Sequence, residues 1–326
     1  MSSHDELNDA FAASLKGWMP KSSPYLVAVS GGLDSVVLLH FLHRFGYEAL
    51  TVCHVDHQIR GDESGADAEW VEEAAAKLGL ECELALVDVP THAAAKKCSL
   101  ELAARELRYA ALEELARKHH CPRVVTAHHA DDQVETVLIN FFRGSGSRGL
   151  CGMERVSERE SGWNLYRPFL PIRREELENY ARRNGLEFRQ DPSNFEDFAL
   201  RNRVRNRLLP MLNEVFERPV SGAVLRAAEL AAMDERWIEE ALGELPVREE
   251  GLDVSVLRDM TEGRRNRILL QWLRKKEIPN CGREEVARIS EILLRDENPS
   301  KVNLPGGHHA RRRSGVLFLE KGGEVI

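Results

Sequence analysis

The stretch Val27–Ser35, with the sequence VAVSGGLDS, decides the fold class of this 326-residue chain. It joins an apolar, β-favouring run, Tyr25–Val29, to a segment, Val36–Phe45, whose apolar residues recur at helical spacing. The glycines between the two predict a tight turn, so the order is strand, glycine turn and helix. Open α/β sheets bind their ligands at the carboxyl ends of the strands, which is where this turn lies.

The turn is chemically suited to a phosphate group. Glycines let the backbone approach an anion, the start of the helix presents unpaired N–H groups, and the serines add hydroxyl donors. Asp34 is a carboxylate beside a phosphate site, which predicts a bridging Mg²⁺ as its metal partner. The predicted phosphate-binding residues are Ser30, Gly31, Gly32, Leu33, Asp34 and Ser35.

Strand and helix patterns continue to alternate after the turn, which predicts a parallel sheet with helices on both faces. The further predicted strands are Ala49–Val55, Glu83–Val89 and Arg123–Thr126. The predicted helices are Asp67–Leu78, Leu100–Lys118, Asp131–Phe142 and Arg173–Asn184.

The pattern changes near Asn213, where we place a domain boundary, giving domains 1–213 and 214–326. The predicted helices near and beyond it are Arg203–Leu212, Val224–Leu242, Arg264–Lys276 and Arg283–Arg295. Strands are predicted at Lys301–Leu304 and Gly315–Glu320, joined around Gly306–Gly307. The fold class is therefore α/β, a Rossmann-like parallel-sheet domain followed by a smaller, helix-rich α+β domain.

Composition narrows the class of protein. The hydrophobic share is 43%, with no apolar run long enough to span a membrane and no secretory pattern at the N-terminus, so we expect a soluble, cytoplasmic protein with no membrane partner. Its six cysteines form no C-x-x-C pair, which argues against a disulfide framework or a zinc ribbon. The net charge of -8 does not favour nucleic acid, but arginines concentrate in 143–207 and 311–313, where a polyanion could bind locally.

The string Ser-Gly-Gly-Leu-Asp-Ser at 30–35 resembles the phosphate loop, or PP-loop, of the N-type ATP pyrophosphatases. A bare pair of glycines would be read as an ordinary strand-to-helix turn, whereas here the whole string and its strand-and-helix context match. The resemblance implies that ATP is bound, cleaved between its α and β phosphates, and used to transfer AMP.

Three further strings narrow the resemblance. They are His54–Arg60 with Ser64 following, Leu100–Tyr109, and Thr126–Thr136 running on to Leu150. With the PP-loop and the segment Arg201–Arg205, they resemble the tRNA(Ile)-lysidine synthetases over Val27 to about Leu209, in the shorter form with one C-terminal module.

The resemblance implies a two-step reaction. The wobble cytidine of tRNA(Ile) with a CAU anticodon is adenylated on O2, and free lysine then displaces AMP to give lysidine. The C-terminal module grips the tRNA. A homodimer is left open by the sequence.

The long helices carry the predicted catalytic residues. Lysine's ammonium must lose a proton before attack, which makes Asp132 a candidate to hold or deprotonate it. Glu135 shares its helix face, and the plainer alternative is that both are first-turn acids. Arg105 suits a phosphate or a developing oxyanion, with a salt bridge to Glu101 as the alternative.

Other polar residues are assigned to ATP or RNA. His54 and Asp56 end a strand and suit the adenosine, and His128 is assigned to ATP with packing or capping as its alternative. The residues predicted to bind RNA are Arg201, Arg203, Arg205, Arg311 and Arg312. Contact with the catalytic centre is the alternative for Arg201, Arg203 and Arg205, and solvated surface charge is the alternative for all of them except Arg201.

Three rival functions share parts of the pattern. A sulfur-inserting tRNA-modifying enzyme would use the same ATP loop, but the cysteines are not suitably spaced. A small-molecule ligase of the NAD-synthetase type would not need the C-terminal module. An RNA-binding protein with a relict loop would have no use for Asp34, Arg105 and Asp132.

Overall fold

The computed structural model describes residues 7–59, 62–159, 161–189, 200–279, 281–294, 301–322 and 324–325. Two compact units divide the chain, 1–232 and 233–326. The first continues past Asn213 because Val224 and Leu225 pack against a buried cluster that contains Val134. The domain boundary near 213 stays a prediction. Arg60 and the side chain of Ser64, quoted above, lie outside the described residues.

The first unit is built on a sheet with helices around it. Its strands are β1 (Tyr25–Ala28), β2 (Leu50–Asp56), β3 (Glu81–Leu86), β4 (Arg123–Val125), β5 (Val156–Glu158) and β6 (Asn164–Tyr166). Its longer helices are α2 (Leu33–Arg44), α3 (Asp62–Lys77), α5 (Leu100–Lys118), α6 (Ala130–Phe142) and α8 (Arg174–Asn184). Shorter helices are α1 (Asp9–Leu15), α4 (Val89–Lys96), α7 (Ser147–Leu150), α9 (Leu200–Arg203) and α10 (Leu209–Val215), with a π-helical turn at Val204–Leu208 between α9 and α10. Helix α11 (Ser221–Leu242) follows.

The sheet has the strand order β3-β2-β1-β4-β6-β5. All neighbours pair in parallel except β5, which runs antiparallel to β6 at the edge. Val27 of the central strand pairs with Val52 on one side and Val125 on the other, and all three are fully buried. A near-continuous apolar strand is what burial on both faces requires. The predicted parallel α/β domain is confirmed.

Two element predictions in this unit were wrong in detail. The third strand was placed at Glu83–Val89, but β3 ends at Leu86 and Val89 begins α4. Asp88 caps that helix, since its side chain accepts a hydrogen bond from the Thr91 N–H, and Pro90 follows in the first turn, where proline is tolerated. The π-helical turn was read as part of one continuous helix, Arg203–Leu212.

The second unit combines helices with an antiparallel sheet, which confirms the predicted helix-rich α+β module. Its helices are α12 (Val254–Asp259), α13 (Glu262–Lys275) and α14 (Arg283–Leu294). Its strands are β7 (Val247–Arg248), β8 (Gly251–Asp253), β9 (Lys301–Asn303), β10 (His308–Arg313), β11 (Val316–Lys321) and β12 (Glu324–Val325). They are ordered β7-β8-β11-β10-β9, with β12 paired to β11. Leu252, Leu269, Ile289 and Leu317 are fully buried in its core.

The terminal hairpin differs from its prediction. Strand β9 pairs with β10 and not with the segment 315–320, because His308–Arg313 is itself a strand between them. The basic composition of this segment hid its alternation, in which His308 and Ala310 are buried and Arg313 is exposed. None of the helices that the structure describes combines the length and apolar character needed to cross a membrane.

Candidate active site

The PP-loop closes on itself by local hydrogen bonds. Oγ of Ser35 donates to the carbonyl of Gly32 at 2.9 Å and accepts from the backbone N–H of Ser30 at 3.1 Å. The Ser30 hydroxyl lies 3.2 Å from the same oxygen. Gly31 has φ of 85°, a conformation that glycine adopts without strain. The loop is therefore preformed, with Gly32 as the N-cap of α2.

Asp34, in the first turn of α2, has two unlike carboxylate oxygens. Oδ2 lies 3.4 Å from Nη1 of Arg174 and 3.7 Å from Nε2 of His129. Oδ1 is buried and has no hydrogen-bond partner among the described residues. Burial opposes ionisation, but the contact with His129 and the guanidiniums of Arg174 and Arg205 outweigh it, so the pKa of Asp34 is lowered. The carboxylate is therefore ionised, and its Oδ1 is not bonded by any residue that the structure describes.

His129 joins the PP-loop to the first turn of α6. Its Nε2 lies 3.7 Å from Oδ2 of Asp34 and 3.5 Å from Oδ2 of Asp132. Its Nδ1 accepts the N–H of Asp131, and its own N–H donates to Asp132, so His129 is the N-cap of the helix. Burial lowers the pKa of His129, yet the surrounding carboxylates raise it more. Packing or capping was the alternative to ATP contact for the neighbouring His128, and in the structure it is His129 that caps the helix.

Glu135 lies one turn further along α6 and is fully buried between two arginines. Nε of Arg201 is 2.9 Å from Oε2, and Nε of Arg205 is 2.6 Å from Oε1. Arg205 also reaches Oδ1 of Asp132 at 3.4 Å. Burial raises the pKa of Glu135, and the two guanidiniums recover part of that shift. Arg201 and Arg205, predicted for RNA, are thus placed beside the predicted catalytic carboxylates.

Asp132 is the more available of the two carboxylates. Burial raises the pKa of Asp132, but the nearby His129, His128 and Arg201 lower it by more. The pKa of Asp132 is therefore below its usual range. The contacts of Asp132, 3.0 Å to the backbone N–H of His129, 3.5 Å to the His129 ring and 3.4 Å to Arg205, are longer than those of Glu135. Asp132 therefore remains an anion that can accept a cationic ligand.

The residues predicted for adenosine lie at the carboxyl ends of β2 and β4. Nδ1 of His54 donates to the carbonyl of Val29, at the base of the PP-loop, at 2.8 Å. Asp56 accepts the N–H of Gln58, which has a positive φ of 52°. Nδ1 of His128 lies 2.9 Å from the Thr126 hydroxyl, and burial lowers the pKa of His128 to about 3, so its ring is neutral. Their assignment to ATP stays a prediction.

The other predicted residues lie elsewhere. Arg105 is exposed on α5, with its guanidinium 5.2 Å from the ring centroid of Tyr109 and, in the described part of the chain, no carboxylate within 4.0 Å. Arg203 is exposed. In the second unit, Nε of Arg311 lies 3.2 Å from Oε2 of Glu320. Arg312 lies beside it in β10 and is half-buried. No contact with RNA follows from these positions alone.

Helix α8 supplies two residues that the sequence did not single out. The N–H of Arg174 donates to Oδ2 of Asp131 at 2.9 Å, and Nη1 of Arg173 lies 3.1 Å from the other oxygen. Arg174 then extends its guanidinium to Asp34. The start of α8 thus ties α6 to the PP-loop, across 140 positions of sequence, with no local pattern to reveal it.

Comparisons with known proteins agree with this geometry. Residues 4–212 match the model of the PP-loop domain family, and residues 252–318 match that of the TilS substrate binding domain. The described fold is similar to a U34-tRNA thiolase from Methanococcus maripaludis, with a TM-score of 0.53 and 17% identity over 69% of this chain and 79% of that one. At that identity the likeness shows the fold alone.

Curated relatives add the sequence evidence. A tRNA(Ile)-lysidine synthase from Bacillus licheniformis is 39% identical over 66% of this chain and 45% of its own length. One from Chlorobaculum tepidum is 33% identical over 86% of both chains. This chain spans about half the length of the Bacillus relatives, at 45% and 46%. The chain belongs to the PP-loop family and, within it, to the tRNA(Ile)-lysidine synthase family.

Proposed function

We propose that this protein ligates free lysine to C2 of the wobble cytidine of tRNA(Ile) with a CAU anticodon, consuming ATP and giving lysidine, AMP and pyrophosphate. The observation that carries the proposal is the position of His129 between Asp34 of the PP-loop and Asp132 of α6, at 3.7 and 3.5 Å. A phosphate loop and an anionic side chain thereby meet at one place, as a reaction between a nucleotide and an amine requires.

In the first step, O2 of the cytosine attacks the α-phosphorus of ATP, and the bond to the β-phosphate breaks to release pyrophosphate. The PP-loop offers the phosphates its backbone N–H groups and serine hydroxyls. Arg174 is placed to balance negative charge near Asp34. Arg105 is proposed to contact a phosphate from its place on α5.

Mg²⁺ fits Asp34. The buried Oδ1 has no partner among the described residues and is a hard oxygen donor. Mg²⁺ takes one or two protein carboxylates and completes its shell with water and phosphate oxygens, so a single aspartate suffices. When bound, it would neutralise charge on the triphosphate. Among the described residues no group of three or more His, Cys, Asp or Glu is arranged to hold a metal ion.

In the second step, the ε-ammonium of lysine loses a proton to solvent, the resulting amine attacks C2, and the C2–O2 bond breaks so that AMP leaves with that oxygen. Asp132 is an anion with a lowered pKa, which suits holding the lysine ammonium better than removing its proton. Glu135 is already neutralised by Arg201 and Arg205, so we assign it to positioning those arginines around Asp132.

Sulfur insertion has less support. Burial raises the pKa of Cys53, and it raises the pKa of Cys82 to about 11, which leaves both as poor nucleophiles. The six cysteines are all free thiols. We keep a cytoplasmic location and a homodimer as proposals, the second checked by light scattering.

The test is lysine incorporation. Protein with ATP, Mg²⁺ and radiolabelled lysine should label a tRNA(Ile) transcript with a CAU anticodon and release one AMP and one pyrophosphate per lysine. A transcript with uridine in place of the wobble cytidine is the control and should stay unlabelled. Folded protein that binds ATP but labels neither transcript would overturn the proposal.

A further inference from the structure

Four arginines surround Tyr109, outside the residues that line the PP-loop. The guanidinium carbon lies 5.2 Å from the ring centroid for Arg105, 5.4 Å for Arg108 and 4.6 Å for Arg159. Arg167 is the fourth, a charged neighbour of Tyr109, Arg105 and Arg159. We call these four side chains the arginine cluster. They come from α5, from the turn between β5 and β6, and from the residue after β6.

The positive charge of the cluster has no carboxylate partner among the described residues. In the part of the chain that the structure describes, none of the four guanidiniums has a carboxylate oxygen within 4.0 Å. Arg167 is 5% exposed and donates from Nη1 to the Glu154 carbonyl and the Ser157 hydroxyl. Its Nε is buried and has no hydrogen-bond partner among the described residues. Gathering like charges in a desolvated place is costly unless an anion completes the site.

The pKa of Tyr109 reflects the positive charge of the same four arginines. Burial alone would raise the pKa of its phenol, but Arg108, Arg105, Arg167 and Arg159 lower it overall. Arg159 also lies 5.4 Å from the ring centroid of Trp163, so its planar group is held against two aromatic rings. Guanidiniums fixed in plane bind phosphate through paired N–H groups.

The cluster neighbours the reaction site and is not part of the PP-loop. The charge of Arg108 acts on both His57 and His128, and that of Arg167 acts on His128. His128 precedes His129, which caps the helix of Asp132. The triphosphate is assigned to the PP-loop at 30–35, where α2 begins. An anion in the cluster would therefore be a second phosphate close to the reacting base.

We propose that the arginine cluster binds a backbone phosphodiester of the RNA substrate beside the nucleotide that is adenylated. This rests on the proposed function, which brings a polynucleotide to the site. Arg105 then serves as one of four phosphate contacts. A base held by its flanking phosphate is fixed relative to the PP-loop before its O2 meets the α-phosphate.

The test measures RNA binding as a function of salt. A fluorescent stem-loop RNA with a CAU anticodon is titrated with protein at several salt concentrations between about 50 and 200 mM. Over this range, every few protein–phosphate contacts change the affinity roughly tenfold. For Arg159→Gln we expect the slope of log K against log salt to fall by about 1, with Kd raised several-fold. Arg105→Gln, an exposed position, should behave in the same way and guards against misfolding at 159.

Arg117→Gln is the matched control. Arg117 is exposed in the last turn of the same helix, about 12 Å along it from Tyr109. It should bind the stem-loop with an unchanged slope, and ATP affinity should be unchanged in Arg117→Gln and in Arg159→Gln. Arg159→Lys, which keeps the charge, should recover most of the slope.

Two outcomes would overturn the proposal. One is an unchanged salt slope in folded Arg159→Gln and Arg105→Gln. The other is weaker binding of inorganic pyrophosphate in these variants with RNA binding intact, which would assign the cluster to the leaving group. The readout does not depend on lysidine formation. A reduced salt slope in the variants, together with no lysine incorporation by the unsubstituted protein, would support RNA binding by the cluster and contradict the proposed function. An unchanged slope together with lysine incorporation would contradict RNA binding by the cluster and support the proposed function.

Discussion

Nε of Arg205 lies 2.6 Å from Oε1 of Glu135, whose side chain is fully buried. The contact is made from a π-helical turn, Val204–Leu208, and π-helical turns are frequent at functional sites. Arg201 holds the other oxygen of the same carboxylate. The two arginines thus fix one acid of α6 and, through Arg205, reach Asp132.

Loss of Arg205 should destabilise the protein because it leaves a buried carboxylate with half of its counter-charge. We expect Arg205→Ala to lower the free energy of unfolding by about 3 kcal/mol, measured by urea denaturation. Arg203→Ala is the control, since Arg203 is exposed in the same segment, and it should change stability by less than about 0.5 kcal/mol. Equal losses in the two variants would show that the ion pair does not stabilise the fold.

His129 should make stability depend on pH above neutrality. Its pKa is raised in the folded protein, so its stabilising contribution is complete below the ordinary value of 6.5 and is lost as pH rises through the folded pKa. Asparagine is also a good N-cap but does not titrate, so we expect His129→Asn to remove the decline in stability above pH 6.5. The pKa values of His40, His57 and His128 are lowered, so these groups titrate on the acid side and do not mask the effect. A decline that persists in the variant would assign it to another group.

Contacts between residues that lie close together in the chain could be predicted from the sequence. The PP-loop could be predicted because its hydrogen bonds join residues within 30–35, and the shared face of Asp132 and Glu135 follows from helical spacing. The arginine partners of the acidic residues could not be predicted from local spacing, because Arg201 lies 66 positions from Glu135 and Arg174 lies 140 positions from Asp34. Such pairs exist only once the sheet has set the order of its strands.

Composition does not choose between the two roles predicted for Arg201 and Arg205, RNA contact and a place at the catalytic centre. Side-chain chemistry alone does not say whether an arginine meets a phosphate or a buried carboxylate. Strand β10 was missed for a related reason, since its basic residues hid the buried positions of His308 and Ala310.

Removal of the Asp34 carboxylate should abolish chemistry without weakening the fold. Its Oδ1 is buried with no partner among the described residues, and its Oδ2 makes only long contacts, 3.4 Å to Arg174 and 3.7 Å to His129. Asp34→Ala therefore removes the proposed Mg²⁺ ligand at the loss of these long contacts only. We expect pyrophosphate release to fall by at least about 100-fold, with the free energy of unfolding lowered by no more than about 1 kcal/mol. Asp88→Ala, at an exposed helix cap, is the reverse control: it should release pyrophosphate normally and lose stability through its missing cap. Normal release by Asp34→Ala would remove its assigned role.

Asp132→Asn should separate the two chemical steps. The amide keeps the size of the side chain but removes the negative charge that we assign to the lysine ammonium. We expect tRNA-dependent pyrophosphate release to persist while lysine incorporation falls by about 100-fold or more, mainly through a raised KM for lysine. The pyrophosphate measured without lysine is the internal control. If both rates fell together, Asp132 would belong to the adenylation step.

The two glycines of the PP-loop should respond differently to the same substitution. Gly31 has φ of 85°, whereas Gly32 has φ of −74°, which any residue adopts. A Cβ on either would meet neighbours no closer than 3.5 Å, so the backbone and not crowding decides the outcome. We expect Gly31→Ala to lose about 1–2 kcal/mol of stability and Gly32→Ala to lose much less, by thermal or urea unfolding. Equal stability losses would mean that the loop relaxes its left-handed residue when it is mutated.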